Sequence, residues 1–83
     1  MDNTEARIAD GKLAEELRQN PILERAFAKV EERCSAEWRK SSIDDATKRE
    51  AAFYTLRALD GLRTEIEAVI NDAKMAKAVA RRK

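Results

Sequence analysis

The chain has 83 residues, 43% of them hydrophobic and 40% charged, with one Cys, one Pro, two Gly, no His and a formal net charge of +1. That length holds one small domain, residues 1–83, and chains near this size bury only about 60–65% of the surface they expose when unfolded. Ala accounts for 15 residues, which leaves 21 larger apolar side chains; a high charged fraction with almost no Gly or Pro points to long solvated helices and away from sheets and disorder.

Several absences set further expectations. Cys34 has no second cysteine to pair with, and the first 20 residues are charged throughout, unlike a secretory signal. Apolar runs are at most four residues long, too short to span a bilayer. Without His, the commonest general base and metal ligand are missing. The expectation is a cytoplasmic protein with no cofactor, no metal, no small-molecule substrate and no membrane partner.

The predicted elements follow in order. A first helix covers about 4–19, with Ile8, Leu13 and Leu17 read as one face and Asp10-Gly11 as a weak break. Asn20-Pro21 punctuates it, because Asn is a preferred N-cap and Pro fits the first helical turn. A second helix over about 21–40 carries Leu23, Phe27, Val30, Cys34 and Trp38 at intervals of four, three, four and four. The stretch Ser41-Ser42-Ile43-Asp44-Asp45 is a turn in which Ser42 caps the next helix and Asp45 adds negative charge at its positive end. A third helix runs over about 44–80 through Ala52, Leu56, Leu59, Leu62, Ile66, Val69, Ala73 and Ala76, and Gly61 does not end it.

Folding back at the 41–45 turn pairs residues whose numbers sum to about 85 or 86: Cys34 with Ala52, Val30 with Leu56, Phe27 with Leu59, Leu23 with Leu62. If the first helix continues past Pro21, Leu17 meets Val69, Leu13 meets Ala73 and Ile8 meets Ala76. The fold is therefore all-α: a long antiparallel helical hairpin with a kinked first arm, or a three-helix bundle with the first helix folded back. One seam leaves Ile22, Phe53, Tyr54, Ile70 and Val79 uncovered. This predicts self-association or docking on a larger protein assembly, with Trp38, Phe53, Tyr54 and Ile70 as the partner-binding set; the alternative for the tip is that Trp38, Cys34, Phe53 and Tyr54 form the widest layer of a small core.

Residues 74–83 hold Lys74, Lys77, Arg81, Arg82 and Lys83 and no acid, whereas the other 73 residues carry 12 basic and 16 acidic groups. This end either contacts nucleic-acid phosphates or complements the negative end of the helix dipole. The adjacent acids Glu15-Glu16, Glu31-Glu32 and Asp44-Asp45 diverge by about 100° on a helix and form no acid–base pair. Arg63 with Glu67 and Arg33 with Glu37 read as i,i+4 ion pairs, and Cys34 reads as an inert seam residue. No catalytic, cofactor-binding or metal-binding set emerges, so the chain is expected not to be an enzyme.

The segments Gly11-Lys12-Leu13-Ala14-Glu15-Glu16-Leu17, Asn20-Pro21, Trp38-Arg39, Asp44-Asp45, Arg49-Glu50, Tyr54 and Leu56-Arg57-Ala58-Leu59-Asp60 give residues 10–73 a pattern that resembles short helical proteins of tailed bacteriophages. Those are encoded among genes for virion structure and assembly. The resemblance implies a phage origin, a host-cytoplasm or virion location and an assembly context. It carries over no functional residue, and the basic end lies outside it. The leading expectation is a non-enzymatic helical interaction protein of a virion or its assembly. The alternatives are a nucleic-acid-associated protein and a phage-encoded inhibitor of a host protein.

Overall fold

The structure, a computed structural model, describes residues 3–82. It contains three helices, α1 (Thr4–Gln19), α2 (Pro21–Lys40) and α3 (Ala46–Arg81), and no strand among the described residues. Asn20 joins α1 to α2 as a single extended residue with φ −70° and ψ 118°. Its side chain accepts from the Ile22 and Leu23 N–H groups at 2.8 and 3.1 Å, and Pro21 occupies the first helical position. The Asn-Pro punctuation thus acts as expected: the amide caps two donors that the helix cannot satisfy itself.

The molecule is a rod measuring 61 × 23 × 17 Å. Its length matches a 36-residue α3 at about 1.5 Å per residue. α1 lies along the C-terminal half of α3 and α2 along the N-terminal half. Three contacts fix the first of these: Arg7 with Asp72, Gly11 with Ala73, and Arg18 with Glu67. This is the hairpin with a kinked first arm, and α1 does not fold back on α2 as a bundle would require.

The register came out close to expectation, but the rotation of α1 did not. Leu13 and Leu17 are exposed, and Gly11 and Ala14 occupy the seam in their place, against a stretch of α3 that buries Ile70, Ala73 and Ala76. Two physical causes act together. The extended Asn20 interrupts the helical phase, so the face α1 presents is not a continuation of the Leu23–Phe27 face of α2. A small-residue face also lets two backbones approach closely: a Cβ built on Gly11 would lie 2.0 Å from the Ala73 Cβ. Gly11 is therefore a packing residue inside α1, not a break.

Ile70 changes role for the same reason. It was expected among the uncovered partner-binding residues, yet at 1% exposure it is the most buried large side chain of the rod. Opposite it the register places Ala14, whose small side chain leaves the room that Ile70 fills. Along α2 the seam holds Phe27, Cys34 and Ala52 as expected, while Leu62 is half exposed.

The tip also differs from expectation. α3 starts at Ala46, not 44; its N-cap residue is Asp45, not Ser42, and the Asp45 side chain accepts from none of the first α3 N–H groups. Asp45 instead reaches back, its Oδ2 accepting from the Ser42 N–H at 3.0 Å. Arg49 pins the turn from above: its guanidinium donates to the Ser42 carbonyl, to the Ile43 carbonyl at 3.1 Å and to Ser41 Oγ at 3.3 Å.

Candidate functional site

Four surface regions remain once the seam is described. At the tip, Trp38 and Phe53 line a shallow groove of about 330 Å³ with Cys34, Ser35, Arg39, Ala52 and Leu56. The helices bring these two expected partner-binding residues together, both about half exposed. Tyr54 stays outside that groove, pointing away from the seam, with its ring edge-on to Phe53 at a centroid distance of 5.6 Å. The Arg57 guanidinium also sits over the Phe53 ring, 5.9 Å from its centroid. Ile70 is buried farther along α3 and takes no part.

At mid-rod a larger groove of about 480 Å³ lies beside the kink. Leu23, Phe27, Ala28 and Ile66 line it, together with Arg18, Glu24, Arg63 and Glu67. Sequence reasoning missed it because it missed the ion pairs that frame it. The expected i,i+4 pair of Arg63 with Glu67 is absent. Arg63 instead crosses to Glu31, stacks over the Phe27 ring at 4.8 Å and approaches Asp60 at 3.9 Å. Glu67 accepts from Arg18 at 2.7 Å. No ion pair joins Arg33 to Glu37 among the described residues. The signal was available in the hairpin register, since 18 and 67 sum to 85, and cross-helix pairs gain from a Phe27 face that local pairs lack.

The ion pairs also define the two flanks of the rod. Arg7 clasps Asp72 along one flank with two charge-assisted bonds of 2.8 and 2.7 Å. That pairing holds the Asp72 carboxyl below the usual carboxylate range. Arg63 and Glu31 meet along the other flank. Val69 lies three residues before Asp72 and Leu62 seven before that, so helical spacing puts both on the Arg7 flank. On α2, Ile22 is nine residues from Glu31, two and a half turns at 3.6 residues per turn, and therefore on the opposite side of the helix from it. On α1, Arg18 and Leu17 come four and three residues after the buried Ala14, about 40° to one side of it and about 60° to the other; Arg18 pairs with Glu67 on the Arg63 side, so Leu17 falls on the Arg7 flank, and Leu13 lies farther round the outer face. The Arg7 flank thus carries Leu13, Leu17, Ile22, Leu62 and Val69, which range from 38% to 64% exposed.

At the open end, Lys74, Lys77, Arg81 and Arg82 are all exposed. Lys74, Lys77 and Arg81 share one face at spacings of three and four, and no ion pair engages them among the described residues. Lys83 lies outside the described residues. Cys34, 5% exposed, packs in the seam. Among the described residues no group of three His, Cys, Asp or Glu is placed to hold a metal ion, and no helix is long and apolar enough to cross a membrane.

Two measures describe how extended the chain is. The chain exposes 6855 Å², against about 5,000 Å² for a compact monomer of 9.4 kDa. Its radius of gyration is 18.0 Å, against about 12 Å for a compact domain of this length. Comparison of the chain with protein-family models, with characterised proteins and with solved structures returned no match.

Proposed function

We propose that this chain is a helical interaction protein, without catalytic chemistry of its own, that acts by laying apolar helix faces against protein in a larger assembly. The observation that carries the reading is the surface excess of roughly 1,800 Å² over a compact monomer, with large apolar side chains along one flank and at the tip. Monomeric proteins seldom leave contiguous apolar surface of this kind uncovered. The charged residues, by contrast, are partly spent inside the molecule, where Arg7, Arg18, Arg49 and Arg63 hold the hairpin together. The resemblance of residues 10–73 to tailed-phage proteins supports a virion or its assembly as the setting.

A photocrosslinking amino acid at position 17, 53 or 54, in cells that make the protein, tests this reading. The expected result is a discrete protein adduct from at least one of these positions, whether a second copy, a virion component or a host protein. Loss of all discrete adducts, with the same probes reactive toward small molecules, contradicts it.

A second reading has one observation in its favour: the unpaired basic face of Lys74, Lys77 and Arg81 at the end of α3. In this reading those residues, with Arg82 and Lys83, contact phosphates. Affinity for duplex DNA that falls steeply with salt, and is lost on deleting residues 77–83, is its expected signature. Equal binding by the shortened chain removes it.

A further inference from the structure

The Arg7 flank has an internal symmetry that selects its occupant. We propose that this flank is the interface between two copies of the chain, laid antiparallel about a two-fold axis perpendicular to the rod, so that two hairpins close into a four-helix bundle. The proposal rests on the reading that the protein works through apolar helix faces, and it names the partner of one of them.

An isologous interface must be its own complement under the two-fold rotation. On α3, Leu62 and Val69 are equidistant from a point between Glu65 and Ile66. An axis through that point sets Leu62 of one copy against Val69 of the other. On the opposite arm the same level falls at the Gln19–Asn20 junction, a level that the Arg18–Glu67 pair fixes. Counting outward from the junction, Leu17 faces Ile22 of the second copy and Leu13 faces Ala26. One further turn out, Asp10 faces Lys29. All of these side chains are exposed in the single chain. The five large apolar residues fall close to the axis, and the oppositely charged pair falls at the edges.

Charge then fixes the direction. Asp10 and Lys29 have no ion pair within the chain among the described residues, and the antiparallel arrangement gives each a partner at both ends of the interface. A parallel arrangement instead gathers the two basic ends, with Lys74, Lys77, Arg81 and Arg82 of each copy, at one end of the bundle. Like charges brought together in this way oppose association. Area is also consistent with a second copy. Permanent dimers bury about 2,000–5,000 Å² in total, or roughly 1,000–2,500 Å² per chain, and the excess exposed by this chain falls in that range. A stacked pair of rods also pairs α3 with α3 and the kinked arm with the kinked arm, all antiparallel, the arrangement that four-helix bundles adopt.

Sedimentation velocity on the full chain at micromolar concentration tests the proposal. The expected species has twice the 9.4 kDa mass of the chain. The double variant Leu17→Glu, Leu62→Glu is expected to sediment as a monomer with its helix content retained, since both positions are exposed in the hairpin. Asp10→Lys and Lys29→Asp are each expected to weaken the dimer by about tenfold, because every substitution alters two symmetry-related pairs. The combined variant reverses the polarity of both pairs and is expected to recover most of the loss. A wild-type monomer overturns the proposal, as does a dimer unmoved by Leu17→Glu, Leu62→Glu, or a combined charge variant weaker than either single one. A wild-type monomer that still crosslinks to a different protein from position 17 overturns the second copy as occupant and leaves the interaction reading standing. A monomer that crosslinks to nothing takes both away.

Discussion

Gly11 and Gly61 are both interior to helices, and their surroundings give them opposite roles. A Cβ at Gly11 would meet the Ala73 Cβ at 2.0 Å, with the Ala73 Cα at 3.5 Å, so the clash is with atoms that have no rotamer to relieve it. Gly11→Ala is expected to destabilise the hairpin by about 1–3 kcal/mol, the cost of overpacking a close seam. Gly61 has nothing within 4 Å of its virtual Cβ, so Gly61→Ala is expected to stabilise by about 0.5–1 kcal/mol through helix propensity and a less flexible unfolded chain. Chemical denaturation of the two variants beside the parent separates these signs. Two carboxylates act at the same scale. Hydrogen bonding lowers the pKa of Asp45, through the Ser42 N–H, and of Asp72, through the Arg7 guanidinium. A lowered native-state pKa contributes stability that is fully present above the unfolded-state value and lost as pH falls through the native one. Thermal stability is therefore expected to fall on acidification below the usual carboxylate range, and Asp72→Asn is expected to show a smaller fall.

Helix boundaries were the most legible level of the fold, for reasons particular to each element. α1 and α2 end and begin where expected because Asn20-Pro21 is a local signal: its cap needs only Ile22 and Leu23 N–H groups from the adjacent turn. α3 begins two residues later than expected, where Arg49 of its own first turn reaches back and holds the carbonyls of Ser42 and Ile43 in the preceding turn. Nothing in a capping pattern announces that contact. Arg49→Ala is expected to leave α1 intact while hydrogen exchange of residues 41–46 accelerates; unchanged exchange there would deny Arg49 its role. The rotation of α1 was the least legible feature. Leu13 and Leu17 outweigh Gly11 and Ala14 on any hydrophobicity count, but the small pair permits a closer backbone approach and lets Ile70 fill the seam. That misassignment also misplaced part of the candidate site. Phe53 and Tyr54 were legible as aromatics off the seam near the turn, whereas Trp38, in line with the α2 seam stripe, is about half exposed, and Ile70 was not legible as core, nor Leu13 and Leu17 as flank.

For the whole molecule, the apolar and charged shares of the composition take on a definite form. The apolar content divides into a narrow seam and the flank and tip residues that the single chain leaves in water. The near-neutral charge divides into cross-helix pairs that hold the hairpin and a basic end. A rod of 61 Å length with one apolar flank is the shape expected of half a bundle, and it accounts for both the excess surface and the large radius of gyration. If association completes the fold, thermal unfolding followed by circular dichroism over a wide range of protein concentration will show it. Mass action requires the midpoint of an associating protein to rise with concentration; that rise is expected here, with loss of the dependence in Leu17→Glu, Leu62→Glu. A cooperative transition whose midpoint is the same at every concentration would contradict it.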